Sequence, residues 1–224
     1  VLQVALSLLG RPWYGEAMEE PVTVDGRSAR RERGRAAVID AVVDLLQEGH
    51  APPTTPQVVE RAGISEASLF RYFRSIDDLQ LEATARFLDR HAHLFEIPAS
   101  GQGALEVRID RFASSRTALW DAIGPMARLG RARSFEHPAL ADLLLGARLA
   151  QADQVRQQFA PELEALAPQA RADAVAVIVS LTAFEAWDLQ RRDLGRTPAQ
   201  IRRAWRTALR ALLTPPADPR RTEP

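Results

Sequence analysis

The sequence predicts an all-α protein, and three observations carry that expectation. Apolar residues recur at helical spacing through most of the chain. No alternating stretch of useful length appears outside the first 25 residues. The periodic stretches are also bounded by helix starts such as Thr-Pro and Ser-x-x-Asp, and by stops at Gly and Pro-Pro. The expected organisation is an arm without fixed structure over 1–26, a helix-turn-helix domain over 27–80, a helical domain over 81–214 and a disordered tail over 215–224.

Composition narrows the function classes. Of 224 residues, 46% are hydrophobic and 26% charged, which suits a soluble chain with a substantial core. Formal net charge is zero, so any nucleic-acid binding must come from local charge placement. All 29 basic residues are Arg, as a GC-rich genome would give. Cysteine is absent, which excludes disulfides, thiol catalysis and cysteine-ligated metals. No stretch reaches the ~18 apolar residues of a membrane span. The opening VLQVALSLLG has no basic leader, so a cytoplasmic protein without membrane contact is expected. The first residue is Val, which fits either a literally translated GTG start or a true start at Met18. Docking of the arm elsewhere as a short strand or helix is the alternative to disorder.

Residues 27–35, RSARRERGR, hold five Arg against one Glu. Arg30, Arg31 and Arg33 can follow a phosphate backbone or enter a minor groove, or they can be a solvated helix start. A first helix is expected over 31–48, with Val38, Ala41, Val42, Leu45 and Leu46 as its core stripe and Asp40, Asp44 and Glu48 facing water. Gly49 and Pro52-Pro53 end it. Thr55-Pro56 opens a second helix, whose apolar side is Val58, Val59 and Ala62, and Gly63 closes it. Ser65 caps a third, which buries Leu69 and Phe73. Two short helices around a tight turn are the sequence form of a helix-turn-helix. Ser75-Ile76-Asp77-Asp78 starts a fourth, to about residue 95. It is apolar on two sides, Leu79, Ala83 and Phe87 on one and Leu81, Leu88 and Phe95 on the other, so it needs two neighbours and is a candidate lever.

Residues 97–104 read as a loop, followed by a helix over 104–122, a break at Gly124-Pro125 and a shorter helix to about Ser134. Pro138 opens another to about Phe159. Pro161 and Pro168 bracket a short piece, and one long helix is expected over 170–194. Thr197-Pro198-Ala199-Gln200 is a Thr-Pro start and a capping box for the last helix, with the stripe Ile201, Ala204, Trp205, Ala208, Leu209 and Leu212.

Chemistry concentrates in residues 54–79. Glu66, Ala67 and Ser68 occupy the first turn of the third helix, where a recognition helix meets base edges. Ala67 can touch a thymine methyl, Ser68 can bond bases or phosphate, and Glu66 can accept from a cytosine amine. Arg71 and Tyr72 suit phosphate contact. Thr54, Thr55 and Gln57 start the preceding helix, whose free N–H groups favour a phosphate. Ser65, Thr55 and Ser75 can serve as plain caps as well as meeting DNA.

The run Ala62-Gly63-Ile64-Ser65, then Leu69-Phe70-Arg71-Tyr72-Phe73, Ser75 and Leu79, resembles the DNA-binding domain of TetR-type bacterial transcriptional regulators, over about residues 31–80. Three departures stand out. Phe70 replaces a Tyr whose hydroxyl meets phosphate in that family, Ile76 replaces a Lys, and Glu66 stands where a basic or small residue is common. Segment 27–74 holds eight Arg and six acidic residues, a net of only +2. DNA binding that is weak or salt-sensitive is the expectation.

The resemblance also implies a ligand-binding, dimer-forming second domain. Phe184-Glu185-Ala186-Trp187 and LGRTPAQIRRAWRTALRALL look like its last two helices, which pair with a second subunit in that family. Val177, Leu181, Trp205 and Leu209 are the expected dimer contacts. A helix apolar on more than one face is either central in the monomer or shared with a partner. Phe112, Trp120, Met126, Phe135, Phe184 and Trp187 either line an apolar ligand pocket or pack as ordinary core. His91 and His93 lie two apart, so on a helix they cannot chelate one metal, and His50 and His137 read as loop or cap residues. No nucleophile–base pair, phosphate loop or metal spacing is found, so no cofactor and no enzymatic activity are expected. The whole reading is a homodimeric regulator of double-stranded DNA with an unidentified small-molecule effector, most simply a repressor. The alternatives are a helical dimer that has lost specific DNA binding, or a small helical enzyme.

Overall fold

The computed structural model describes residues 26–49, 52–135 and 138–214. The expectations for residues 1–25, His50, His137 and the tail from 215 lie outside them. All regular structure among the described residues is helical. The chain divides into two compact units, one made of residues up to Phe95 with Ala122–Gly146, the other of Glu96–Asp121 with the residues from Ala147 onward.

In the first unit, α1 spans Gly26–Gln47, α2 Thr55–Ala62, α3 Glu66–Tyr72 and α4 Ile76–Arg90, followed by a 3-10 turn at Ala92–Phe95. Helix α1 begins five residues before the expected start, so the arginine-rich segment is the first turns of a helix. The predicted stripe is the core: Val38, Ala41, Val42, Leu45 and Leu46 are all buried, and they meet Val58, Leu69, Phe73, Leu79, Ala83 and Phe87, each at most 4% exposed. The outward acids of α1 are paired. Asp40 and Asp44 accept from Arg90 at 2.6 and 3.4 Å, and Glu48 takes the fork of Arg61 at 2.6 and 2.9 Å. These pairs are exposed and add little each. Helix α4 has two neighbours in this unit. One is α1. The other is the later part of α5 (Leu105–Arg133), where Met126 Sδ accepts from the Thr84 hydroxyl and Arg133 donates to Gln80.

Helix α5 runs unbroken through Gly124-Pro125, against the expected break. Proline removes one N–H and crowds the carbonyl four residues back, here Asp121, which more often bends a helix than ends it when both sides are packed. The units divide at that same residue.

The second unit holds the first part of α5, most of α6 (Pro138–Gln158), α7 (Ala160–Glu164), α8 (Pro168–Leu181), α9 (Phe184–Asp188), a π-helical turn (Leu189–Asp193) and α10 (Pro198–Leu213). Its core joins Ile109, Phe112, Val155, Phe159, Leu163, Ile178 and Leu209. The loop at 97–104 is held by Gln158, whose Oε1 accepts from the Gly101 N–H at 3.0 Å and the Ser100 hydroxyl at 3.1 Å.

The helix expected over 170–194 is interrupted. Ala183 is extended, with φ −65° and ψ 163°. The Thr182 carbonyl, which a continuing helix would use, accepts instead from the Trp120 indole N–H at 2.8 Å, and the Thr182 hydroxyl donates to the Ile178 carbonyl at 2.8 Å. A tertiary hydrogen bond has overridden local propensity. Helix α10 begins with the predicted capping box: Gln200 N–H donates to the Thr197 hydroxyl, and Thr197 N–H donates to Gln200 Oε1. Its stripe ends on buried Leu213, and Leu212, expected in the stripe, is exposed.

Candidate nucleic-acid interface

The turn between α2 and α3 is built by a glycine and two caps. Gly63 sits at φ 66°, ψ 35°, a conformation with a steric cost for any residue with a Cβ. Its N–H donates to the Glu60 carbonyl at 3.2 Å, and the Ile64 N–H reaches the Val59 carbonyl at 3.0 Å, which closes α2. At the start of α2 the cap is Thr54, one residue ahead of the expected Thr55, and Gln57 Oε1 accepts from both its N–H and its hydroxyl. The Gln57 carbonyl oxygen is therefore engaged locally, and Thr55 is half-buried.

Ser65 caps α3, accepting from the Ser68 N–H at 3.3 Å. Its hydroxyl also donates to Ser68 Oγ at 3.1 Å, and Arg71 Nη2 donates to the same Oγ at 3.3 Å. Ser65, Ser68 and Arg71 thus form one hydrogen-bonded line along α3. Leu69 and Phe73 anchor the opposite side, at 0% and 1% exposed. Glu66, Ala67, Phe70 and Arg71 are left on the outside, with Phe70 at 53%. Ser68 and Tyr72 are half-buried.

Helix α1 meets the end of α3 through contacts that sequence reasoning missed. A Cβ on Gly34 would lie 2.4 Å from the Tyr72 hydroxyl oxygen and 2.7 Å from Cζ, so only glycine admits the ring against α1. Arg35 lies 5.1 Å from the Phe73 ring centroid and pairs with buried Glu82 on α4. Burial raises the Glu82 carboxyl above its ordinary pKa, and the Arg35 charge opposes that rise. In the sequence Gly34 and Arg35 are ordinary members of the charged run, with no signal of this contact. Arg31, Arg35, Arg71 and Arg74, with Glu32 and Asp78, line an open hollow of about 420 Å³ that also takes in Phe70 and Tyr72. Arg30, Arg31 and Arg33 are exposed on α1. Ile76 is half-buried at the start of α4, where Ser75 caps by accepting from the Asp78 N–H at 3.1 Å.

The residues proposed for a ligand pocket do not share one unit. Phe112, Trp120, Phe184 and Trp187 belong to the second, and Met126 and Phe135 to the first. The four are buried and pack on rings: Phe112 on Phe159 at 5.3 Å, Trp120 on Phe184 at 5.8 Å, and Phe184 on Trp187 at 6.1 Å. Met126 is buried, but Phe135 is 92% exposed and lines nothing, because the chain turns at 134–135 beyond the end of α5. Among the expected dimer contacts, Val177 is exposed and Leu181 half-buried. Trp205 and Leu209 are fully buried inside their own unit, since the apolar stripe of α10 faces that unit's core, so neither is open to a partner. Among the described residues no group of acids and histidines could hold a metal ion, and no helix is long and apolar enough to cross a membrane.

Comparison with known proteins agrees with this geometry. Residues 38–83 match the model of bacterial regulatory proteins of the tetR family, and that span contains α2 and α3 with the later part of α1 and the first part of α4. No curated protein matches the chain. A tetR-family transcriptional regulator from Streptomyces coelicolor is 22% identical, covers 81% of this chain and 80% of its own, and superposes with a TM-score of 0.61. The multidrug binding protein EbrR, complexed with imidazole, is 19% identical over 84% of this chain and 95% of its own, with a TM-score of 0.55. At such identities the two structures speak for the fold, and the sequence match for the helix-turn-helix. That match makes residues 38–83 of this chain similar to the DNA-binding part of the tetR family of bacterial regulatory proteins.

Proposed function

We propose that this chain is a ligand-responsive transcriptional regulator that acts as a homodimer on a two-fold operator, most simply as a repressor. The observation that carries the reading is α3 itself. It buries Leu69 and Phe73 behind it and turns Glu66, Ala67, Phe70 and Arg71 outward, with Arg71 already steadied by Ser68. Ala67 and Ser68 serve base reading. Arg71, Tyr72 and the exposed arginines of α1 serve phosphates, which position the helix.

A helix-turn-helix reads a two-fold site as a dimer. In the second unit Val177 on α8, Leu189 on the π turn, Leu194 before α10 and Leu212 on it are apolar and exposed, which supplies candidates for a second copy to cover. They replace Trp205 and Leu209 in that role. A ligand that favours one spacing of the two recognition helices changes DNA affinity by its differential affinity and no more. That a protein of similar fold is described as multidrug binding supports a small-molecule effector.

Footprinting on the DNA upstream of its own gene tests the reading. Two protected half-sites about 34 Å apart are expected. Ser68→Ala should change which sequence is preferred. A single unpaired footprint, or none, contradicts the dimeric regulator. Loss of specific DNA binding is the rival, favoured by outward Glu66 and by Phe70 lacking a hydroxyl.

A further inference from the structure

Two arginines of α5 are buried in the second unit, and only one of them has a carboxylate. Arg108, 4% exposed, grips Glu162 with both Nη atoms at 2.7 and 2.5 Å and donates to the carbonyls of Gly103 and Gln158. Arg116, two turns on and 2% exposed, donates from Nη2 to Gln154 Oε1 at 2.7 Å and lies 5.1 Å from the Phe112 ring centroid. No carboxylate among the described residues pairs with it. Burial draws its pKa down to about 10, so it stays a cation at neutral pH.

A neutral amide and a ring face offset only part of what a guanidinium loses on leaving water. Its own helix supplies a second hint. Phe112 and Trp120 stand four residues to either side, on the same face. Trp120 leads through Phe184 to Trp187, whose buried indole N–H has no acceptor among the described residues. Among the described residues, one cation without a counter-charge lies on Phe112, and one N–H without an acceptor lies beside Phe184, which packs on Trp120.

We propose that this region of the second unit binds an organic anion, whose charged end pairs with Arg116 and whose apolar body lies among Phe112, Trp120 and Phe184. As the identity of the effector class, this rests on the regulator reading above. As a binding site, it does not.

Thermal unfolding of the full chain tests it, with octanoate, 4-phenylbutyrate and phenylphosphonate as probes, octanamide and 4-phenylbutyramide as uncharged controls, and sodium chloride to match ionic strength. At roughly tenfold above its Kd, at least one anion should raise Tm by about 3–6 °C while the amides do not. Arg116→Met and Arg116→Gln should each abolish that rise, and two variants are used in case one fails to fold. The proposal is overturned if no anion moves Tm, if acid and amide act alike, or if a folded variant keeps the shift. A Tm rise from a chain that ignores DNA would sink the regulator and leave the anion site standing. Operator binding by a chain indifferent to all three anions would do the reverse.

Discussion

Gly34 on α1 and Tyr72 at the end of the recognition helix touch so closely that a Cβ at 34 would fall 2.4 Å from the tyrosine hydroxyl oxygen. In a helix interior Gly→Ala normally adds about 1 kcal/mol of stability. Here the added methyl must displace a rigid ring. Gly34→Ala is expected to destabilise by roughly 1–3 kcal/mol in urea unfolding. In a Tyr72→Ala background the same change should become stabilising. Equal effects in both backgrounds would show that the contact is not tight.

The Arg35–Glu82 pair gives stability a pH signature. Burial raises the folded-state pKa of Glu82 above the ordinary carboxylate value, with Arg35 opposing. The folded chain therefore holds that proton to higher pH than the unfolded chain does. Stability from this group is present on the acid side and is lost as pH rises from about the unfolded value through the folded one. Glu82→Gln cannot titrate, so its unfolding free energy should lack that decline. Arg35→Met should cost about 1–3 kcal/mol at pH 7 and less at pH 5, because it leaves a buried carboxylate alone. The Arg35 side chain is 27% exposed, which keeps the cost below that of a sealed pair.

The turn before α3 should be sensitive at two neighbouring positions for different reasons. Gly63→Ala forces a Cβ into φ 66°, at a cost of about 1–2 kcal/mol. Ser65→Ala removes the cap on Ser68 N–H, at about 1 kcal/mol, and also one link of the line that steadies Arg71. Both should lower DNA affinity in a gel shift, and Gly63→Ala should show the larger loss in chemical unfolding.

In the second unit, Trp120→Phe deletes the donor that holds the Thr182 carbonyl. The orphaned carbonyl should cost about 1–3 kcal/mol, read by urea unfolding followed in the far-ultraviolet. Loss of less than a few tenths would mean that the break between α8 and α9 has another cause.

Much of this architecture was legible in residue order, because it depends on local rules. The stripe from Val38 to Leu46, the Gly63 stop, and the caps at Ser65, Ser75 and Thr197 each follow from neighbours within a few positions. The outward face of α3 was legible for the same reason. What escaped was tertiary. Trp120, 62 positions away, breaks the helix at Thr182, and Pro125 fails to break α5 because both its flanks are packed. Trp205 and Leu209 on α10 were expected at a dimer interface and are core, since burial by one's own chain and by a partner demand the same residues. Gly34 and Arg35 looked like ordinary members of a charged run, and only the approach of Tyr72 and Phe73 gives them a task.

The central claim is that α3 lies in a DNA groove with Arg71 on a phosphate, and salt dependence tests it most directly. Kd for an operator duplex should be measured over a salt series for the wild type and for Arg71→Ala. The wild type should lose affinity linearly in log Kd against log salt, and Arg71→Ala should bind all duplexes about equally more weakly, with a slope smaller by about 1. An unchanged slope and affinity in Arg71→Ala, or no duplex bound by the wild type even in dilute buffer, would contradict it.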